Sequence, residues 1–509
     1  MKASAPPEYF NFAEDVLGKC AAEHPARTAM FSVDESGNET QWTFGLVQES
    51  SSRLAHVLVA NGLARGEVVL VMIAGLPQRV LAQLAIMKAG GVSLLLRSDS
   101  TAREICHHID RATPRLVLAG GEDAGRFPSS QRVLVMPGRE LDNDMRAAPA
   151  EFKSLRMRSH EPAQIVPTGG TTGPPKMVLH THGSKCFYYL RWTVSFGPDD
   201  LSWDFAGRWW MGAWRRATPV FHRAMPVDAG PALILETLAR YPITKLFAPA
   251  RVYSQVVGHG LDCYKFASLR TCWSSGQALE AVVLRAWTQA TGIPLLDRYS
   301  QSEFGESPIC PATGGLPGSI GRPFPWIAMA IINSEGHPVP QGELGEIGVR
   351  VKPVRPPWLF REYWRDGEAT AARERDEWYL TGDVGRVDES GQFLLGGRTD
   401  DIINCSGENI GPFEIESVLL EHPSVRDAAV VGKPHSDLGE VPIAFVVVES
   451  EFESPEKLAA ELLQYVNGAI HQHKRLREIV FLPSLPRTAA GKIRRADLSR
   501  QSVAGACAD

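Results

Sequence analysis

The chain has 509 residues, of which 44% are hydrophobic and 22% charged, and its formal net charge is −5 at pH 7. That length exceeds what one hydrophobic core usually supports, so we expect at least two domains. The slight acidity and the lack of a long lysine or arginine run argue against a nucleic-acid-binding protein. The most apolar stretch, residues 68–96, is interrupted by Pro77, Arg79 and Lys88, which argues against a membrane span.

The eight cysteines are scattered through the chain and show no C-x-x-C spacing. The N-terminus lacks the apolar segment of a secretion signal. Both features favour reduced thiols over disulfides or a zinc centre. We therefore expect a cytoplasmic protein without structural zinc.

Short apolar runs alternate with helical patterns in the first part of the chain. Buried strands are predicted at 68–73, 92–96, 116–119 and 133–136, and helices at 79–88 and 103–111. The same alternation of helix and strand is found later in the chain, with helices predicted at 233–240 and 279–291 and a strand between them at 245–247. This alternation predicts an α/β fold with layered, parallel sheets.

The pattern changes after about residue 325. Strands separated by turn residues are predicted at 327–332, 345–351 and 392–395, which indicates a β-rich subdomain. A shorter α+β unit follows, with helices predicted at 412–421 and 454–468 and strands at 428–432 and 443–448. We therefore predict a large N-terminal domain, residues 1–399, and a small, mobile C-terminal domain, residues 400–509.

The clearest candidate for binding chemistry is a glycine- and hydroxyl-rich loop between positions 168 and 176. It reads Thr168-Gly169-Gly170-Thr171-Thr172-Gly173-Pro174-Pro175-Lys176. Glycines let backbone N–H groups turn inward, and the hydroxyls and the lysine add donors and positive charge, which suits a triphosphate. The spacing differs from the Walker loop, and a polar surface turn is the alternative.

Four further motifs are weak when taken singly. Tyr299-Ser300-Gln301-Ser302-Glu303 could hold magnesium on phosphate oxygens, and the carboxylate of Asp383 could accept hydrogen bonds from a ribose. Arg398 to Asp401 has the position of a hinge, and the basic stretch 486–495 carries Lys492 on a glycine-containing loop. Each of them is also typical of an ordinary solvated loop.

The order and spacing of these motifs resemble the adenylate-forming superfamily of acyl-CoA synthetases, nonribosomal peptide adenylation domains and luciferases. The resemblance covers nearly the whole chain. Residues 7–15 and 402–407 look most like medium-chain acyl-CoA synthetases, and residues 407–410 resemble benzoate-type CoA ligases. The resemblance implies ATP, Mg²⁺ and coenzyme A as co-substrates and cofactors, and a reaction in which a carboxylate attacks the α-phosphate of ATP before a nucleophile displaces AMP.

The resemblance also implies a role for each matching residue. Lys492, Ser302 and Glu303 would act on the reacting phosphates, with Glu303 on the metal and Asp400 as the hinge. The implied ATP site comprises Thr168, Gly169, Gly170, Thr171, Thr172, Gly173, Lys176, Gly276, Gln277, Asp297, Arg298, Tyr299, Ser300, Gln301, Asp383 and Arg398. The implied acid pocket comprises Gly276, Trp209, Trp210 and Trp214, and the implied acceptor side comprises Ser406, Gly407 and Glu408.

The sequence departs from medium-chain relatives where it would contact the acid and the acceptor. The region from 200 to 226 is several residues short and carries four of the chain's twelve tryptophans, which fit either a flat aromatic pocket or core packing. Glu408-Asn409 replaces the Tyr-Arg that contacts coenzyme A in those relatives. Lys474, Arg475 and Arg477 remain candidates for binding its phosphates.

Three acceptors are therefore compatible with the sequence. The leading hypothesis is a ligase that joins a medium-chain or aromatic acid to coenzyme A. A stand-alone amide ligase that uses an amine or amino acid, and an enzyme that loads a carrier protein, are the alternatives. The expected partners are small molecules, and the chain could form a homodimer. We expect no nucleic acid and no membrane among its partners.

Overall fold

The computed structural model describes residues 5–168, 176–191, 196–205, 207, 209–225, 229–276, 279, 281–304, 307–310, 319–405, 408–435, 437–448, 454–487 and 492–504. Three of its four sheets belong to the N-terminal part of the chain and the fourth to the C-terminal part. This mixed α/β architecture is the predicted fold class.

The first sheet has seven strands, and one of its inner strands, Val68–Met72, is buried at every residue. Its strands lie in the order Glu362–Tyr363, Met177–Thr181, Pro162–Pro167, Val92–Leu95, Val68–Met72, Leu116–Ala119 and Val133–Val135. The predicted apolar runs are confirmed as parallel neighbours here. Continuous apolar runs of this kind are what a sheet covered on both faces requires.

The helices of this region are Phe44–Ala60, Leu76–Lys88, Ala102–Ala112, Arg139–Ala147 and His182–Arg191. Helix Ala102–Ala112 begins at a capping box, in which the side chains of Thr101 and Glu104 satisfy each other's backbone N–H groups. Helix Leu76–Lys88 is buried almost along its whole length, because it lies between the first sheet and the second.

The second sheet also has seven strands, and their carboxyl ends form one wall of the site described below. The strands lie in the order Leu295–Arg298, Thr271–Ser275, Lys245–Phe247, Ser202–Asp204, Val220–Arg223, Thr28–Val33 and Glu39–Thr43. Only the last pair is antiparallel. The helices packed on this sheet are Pro231–Arg240, Ala250–Val257, Ala281–Thr291 and the single turn Trp210–Ala213.

The third sheet is antiparallel and confirms the predicted β-rich subdomain, although it begins earlier in the chain than expected. Its strands are Ile309–Cys310, Ser319–Pro323, Phe393–Arg398, Trp378–Val387, Gly345–Arg350 and Met329–Ile332, with Glu374–Arg375 paired to Trp378–Val387. Strand Glu362–Tyr363 lies between these in sequence but pairs with Met177–Thr181 of the first sheet. This crossing brings the two sheets together at the site.

The C-terminal part of the chain forms a five-stranded sheet with its own hydrophobic clusters. Its strands are Glu408–Ile410, Ile403–Cys405, Gly439–Val448, Val425–His435 and Glu478–Phe481, and its helices are Pro412–Leu419, Pro455–Ala469 and Arg495–Ala504. The predicted boundary at 399/400 falls at the short turn Thr399–Asp401, where Asp400 is exposed. The mobility of this domain stays a prediction.

The remaining helical segments are short. They are Ala13–Gly18, Lys19–Glu23, Ala124–Arg126, Trp214–Arg216, Leu261–Cys263, Gly367–Ala371 and Gln472–Lys474. None of the described helices combines the length and the apolar character that crossing a bilayer requires.

Candidate active site

The ends of the glycine-rich loop are held together as the base of a hairpin. The backbone N–H of Thr168 donates to the carbonyl of Lys176 over 2.8 Å, and the N–H of Lys176 donates to Oγ1 of Thr168 over 3.1 Å. Gly169, Gly170, Thr171, Thr172 and Gly173 lie outside the described residues. The two flanking strands therefore set where this loop starts and ends, at one edge of the first sheet.

The ammonium group of Lys176 enters a region that is already charged. Its Nζ lies 4.8 Å from the centroid of the Tyr363 ring. Burial lowers the pKa of Lys176 and the positive charge of Arg373 lowers it further, while the negative charges of Glu303 and Asp366 act in the opposite direction. An anionic ligand beside this lysine would raise its pKa again.

The turn at Ser302 and Glu303 is held from three directions. The hydroxyl of Tyr363 donates to Oε1 of Glu303 over 2.8 Å, and the N–H of Phe360 donates to the Glu303 carbonyl over 2.7 Å. Nε2 of His180 donates to the Ser302 carbonyl over 2.8 Å. The carboxylate is therefore oriented before any ligand arrives, which is what a positioned metal ligand or catalytic group needs.

Tyr363 and His180 were not among the residues predicted from the sequence. Neither belongs to a glycine-, hydroxyl- or acid-rich motif. They reach Glu303 and Ser302 because strands Glu362–Tyr363 and Met177–Thr181 pair. A pairing between positions so far apart leaves no local signal in the sequence.

The loss of the Tyr363 hydroxyl should weaken this arrangement without destroying it. We expect Tyr363→Phe to lower kcat by about fivefold, because one hydrogen bond that orients Glu303 is worth about 1 kcal/mol. The measurement is steady-state kinetics with the melting temperature recorded in parallel. A drop in melting temperature with kcat unchanged would assign Tyr363 to packing alone.

A second cluster converges on Asp383. Arg398 Nη1 donates to Oδ1 over 2.7 Å, and the Tyr299 hydroxyl donates to Oδ2 over 2.7 Å. The Gln301 amide donates to the same carboxylate and to the carbonyl of Thr381. Burial would lower the pKa of Arg398, but the ion pair with Asp383 more than offsets it and the net shift is upward. The structure therefore brings four predicted residues, Tyr299, Gln301, Asp383 and Arg398, into one network.

The carboxyl ends of the second sheet supply the adjoining wall. The hydroxyls of Ser275 and Ser300 lie 3.3 Å apart, and Gly276 has a φ of 92°, which glycine adopts without strain. Asp297 accepts a hydrogen bond from the N–H of Leu279, and burial raises its pKa to about 6. Gln277 lies outside the described residues. Ligands commonly bind in the crevice beyond such strand ends.

Arg298 lies on the other face of its strand from Asp297, because successive strand residues alternate. In the strand register Arg298 is paired with Ser275. The side chains of Asp204, Phe247 and Trp273 form the next row on the same face of the sheet. The Arg298 side chain is buried, and burial lowers its pKa to about 10 while the negative charge of Asp204 acts in the opposite direction. Its side chain lies on the face that carries Asp204, and its predicted place beside the adenine stays a prediction.

All three predicted pocket tryptophans are buried in one hydrophobic core cluster. Trp214 is 0% exposed, its indole N–H donates to the Ala29 carbonyl over 3.2 Å, and its ring packs against Phe44. Trp210 is 2% exposed and lies between Phe12 and Trp214. Packing of both rings in the core between the two sheets argues against their predicted role as pocket walls, which stays a prediction.

Trp209 differs from these two in its neighbours. Its ring lies 5.3 Å from Phe247 and 5.2 Å from Trp273, on the sheet face that also carries Arg298. The backbone N–H of Trp209 donates to Oδ2 of Asp204 over 2.8 Å. Trp209 is also buried, but of the three predicted tryptophans it packs on the sheet face that carries Arg298.

The packing role of Trp214 has a direct test. We expect Trp214→Phe to lower the free energy of unfolding by about 1–3 kcal/mol, because it leaves a small cavity and an unpaired Ala29 carbonyl. Chemical denaturation measures this loss. The KM for the acid should stay unchanged, and a changed KM at unchanged stability would return Trp214 to the pocket.

The predicted C-terminal site residues are only partly described. Lys492 is exposed beside the bridge that joins Arg487 to Ile493, and Glu408 begins a strand. Ser406 and Gly407 lie outside the described residues. Lys474 is a poor candidate for binding coenzyme A, since it is 7% exposed and bonds to Oε2 of Glu414 over 2.6 Å. Arg475 and Arg477 are exposed.

A metal at this site would depend on few protein ligands. Across the described part of the chain no group of three or more His, Cys, Asp or Glu side chains could hold a metal ion. Magnesium accepts such a setting, since it usually keeps several waters and binds one or two carboxylates together with substrate phosphates. Glu303 fits that requirement.

Two family models match the chain. The model of an AMP-binding enzyme matches residues 17–364, and that of an AMP-binding enzyme C-terminal domain matches residues 414–492. The human mitochondrial acyl-coenzyme A synthetase ACSM5 is 35% identical over 97% of this chain and 91% of its own length.

Solved structures share the fold along almost the whole chain. A benzoate CoA ligase from Burkholderia xenovorans LB400 superposes with a TM-score of 0.83 at 24% identity, over 96% of this chain and 100% of its own. The amide bond synthetase McbA from Marinactinospora thermotolerans superposes with a TM-score of 0.82 at 25% identity, over 96% and 99%.

Proposed function

The chain belongs to the family of AMP-binding enzymes, and from this we infer that it activates a carboxylic acid with ATP as an acyl-adenylate and transfers the acyl group to coenzyme A. The observation that carries this conclusion is the network around Asp383, Arg398, Tyr299 and Gln301 beside the oriented Glu303. It provides a polar nucleotide site next to a fixed carboxylate, at the carboxyl ends of a parallel sheet.

We assign the ATP contacts by position. The loop from Thr168 to Lys176 would bind the β- and γ-phosphates, and Asp383 with Arg398 would bind the ribose. Gly276, Asp297 and Tyr299 would line the adenine, and Ser302 would approach the α-phosphate. Bound magnesium supplies charge neutralisation on the phosphates, and Glu303 would hold it.

Lys492 would contribute to the first half-reaction from the C-terminal domain. The substrate carboxylate forms a bond to the α-phosphorus, the bond from that phosphorus to the β-phosphate oxygen breaks, and pyrophosphate leaves with the electron pair. Negative charge increases around the α-phosphate, and a lysine placed there acts most strongly on the transition state. A turn about Asp400 would then exchange Lys492 for the loop at Ser406, Gly407 and Glu408.

We propose that the acid is aromatic rather than a flexible chain. Trp209, Phe247 and Trp273 present a set of rings on one sheet face, and Asp204 and Arg298 place charge on that face. Flat apolar walls with a few polar groups favour a rigid ring that carries a polar substituent. The segment between 200 and 226, which is shorter than in medium-chain relatives, contains Asp204 and Trp209 and would therefore shape the same pocket.

An amine acceptor is the second candidate. Two observations favour it: the fold is shared with an amide bond synthetase, and Glu408-Asn409 lies where medium-chain relatives carry an arginine for coenzyme A. Coenzyme A remains the first choice, because the relative that is 35% identical is named an acyl-coenzyme A synthetase.

The acid and the acceptor can be tested in one mass-spectrometric experiment. Benzoate, hydroxybenzoates, aminobenzoates and octanoate are each supplied with ATP and Mg²⁺, and separately with coenzyme A or a mixture of amino acids and amines. We expect aryl-CoA from a substituted benzoate. Octanoyl-CoA as the main product would contradict the aromatic pocket. Formation of amides without thioesters would show that the acceptor is an amine and not coenzyme A.

The cytoplasmic location and the homodimer stay predictions. The human relative is named as mitochondrial, and that description concerns the relative.

A further inference from the structure

Arg373 places a positive charge beside the nucleotide site, and none of the motifs described above includes it. It precedes the short strand Glu374–Arg375, and its N–H donates to the Thr370 carbonyl while its own carbonyl accepts from Leu380. Its side chain is half-buried. The backbone therefore fixes where this side chain starts, and the guanidinium lies beside Gly382, the neighbour of Asp383.

Gly382 shows how closely this guanidinium approaches. A Cβ atom built on Gly382 would lie 2.5 Å from Nη1 of Arg373 and 2.8 Å from Nη2 of Arg398. Gly382 also has a φ of 76°, which disfavours any other residue, and a side chain there would require the two guanidinium groups to move. The glycine therefore lets two guanidinium groups converge beside Asp383.

The two arginines differ in their partners. Arg398 is paired with Asp383. Within the described ranges, Arg373 makes neither a hydrogen bond nor an ion pair through its side chain. Burial raises the pKa of Glu346, and the positive charge of Arg373 acts in the opposite direction. One carboxylate oxygen of Glu346 accepts a hydrogen bond from the N–H of Gly382 over 2.7 Å. Among the described residues, no carboxylate forms an ion pair with Arg373, although Glu346 is near enough for that charge to act on its pKa.

In the described part of the chain, Lys176 likewise forms no ion pair with a carboxylate. Its contact is the face of the Tyr363 ring, and after burial the charge of Arg373 is the strongest influence on its pKa. Two neighbouring cations repel each other, and the repulsion grows where solvent is excluded. An arrangement of this kind destabilises the empty site and is relieved by an anion that both cations contact.

We propose that Arg373 binds the terminal phosphates of ATP together with Lys176 and stabilises the pyrophosphate that leaves in the first half-reaction. This inference rests on the proposed function. A planar guanidinium donates two parallel hydrogen bonds to a phosphate, which a lysine cannot do. Arg373 would bind the β- and γ-phosphates and leave the AMP portion to Asp383 and Arg398.

The test is calorimetric binding of ATP, pyrophosphate and AMP, each with Mg²⁺, to the full chain without acid. We expect Arg373→Ala to weaken the binding of ATP and of pyrophosphate by about 10- to 100-fold, since a hydrogen bond to a charged group is worth about 1.5–3 kcal/mol. The affinity for AMP should change by less than twofold. Arg373→Lys should recover part of the loss. Arg375→Ala is the matched control, because its side chain reaches the carbonyls of Asn333 and Ser334 away from the site.

Thermal unfolding supplies a second readout that does not depend on activity. The unliganded Arg373→Ala protein should melt at the same or a higher temperature than wild type, since a repulsive charge is removed, and it should gain less stability from ATP. A lower melting temperature without ligand, or equal loss of ATP and AMP affinity, would make Arg373 a structural residue and overturn the inference. Wild-type ATP affinity in the variant would also overturn it. A wild-type protein that binds no nucleotide would reject the proposed function itself, and this inference with it.

Discussion

Lys492→Ala is expected to reduce acyl-adenylate formation by about 100- to 1000-fold, the usual effect of removing one group that stabilises transition-state charge. The loss should fall on kcat, with the KM for ATP changed little, because the lysine acts where charge increases during the reaction. Pyrophosphate release measures this step. Synthesised acyl-AMP supplied with coenzyme A should still give thioester at nearly the wild-type rate, since the second half-reaction uses the loop that includes Gly407.

Arg494→Ala is the matched control for this experiment. Arg494 is exposed on the same loop and pairs with Asp497 through a 2.9 Å contact. We expect both half-reactions to keep wild-type rates in this variant. Equal loss of both half-reactions in Lys492→Ala would reject the division of labour between the two conformations of the C-terminal domain.

Glu303→Gln should have the second largest effect. Replacing the carboxylate with an amide keeps the shape of the side chain and its hydrogen bond from Tyr363, but it removes the charge that would hold magnesium. We expect kcat for adenylation to fall by about 100-fold or more, as for other groups that act on transition-state charge, and the magnesium concentration for half-maximal rate to rise.

A magnesium titration of adenylation separates this role from a general loss of structure. Glu362→Gln is the control, because Glu362 is the neighbour of Tyr363 and its side chain is 42% exposed. It should titrate as wild type does. A Glu303→Gln protein with normal magnesium dependence and a lower melting temperature would show that Glu303 serves only the fold.

Much of the nucleotide site could be predicted because its residues lie in short motifs whose chemistry is local. Tyr299 and Gln301 belong to one run of residues, and Asp383 follows a glycine with a positive φ within strand Trp378–Val387. Four strands of the first sheet and two helices beside it were also predicted. A continuous apolar run such as Val68–Met72 indicates a buried strand from its composition alone.

The residues that the sequence did not reveal depend on contacts between distant segments. Tyr363 contacts Glu303 only because its strand leaves the third sheet for the edge of the first. Trp209 and Trp210 are adjacent and both buried, yet Trp209 packs against Phe247 and Trp273 while Trp210 packs against Phe12 and Trp214. Arg298 differs from Asp297 by one position, and strand alternation alone sends the two side chains to opposite faces.

The most direct test of the account follows an oxygen isotope. The acid that proves to be the substrate is labelled with ¹⁸O in its carboxylate and incubated with the protein, ATP, Mg²⁺ and coenzyme A. If the acid attacks the α-phosphate, one labelled oxygen remains on AMP when the thioester forms, and the account predicts ¹⁸O in AMP and none in pyrophosphate. Label in inorganic phosphate with ADP as the other product, or thioester formed with unlabelled AMP, would contradict activation through an acyl-adenylate.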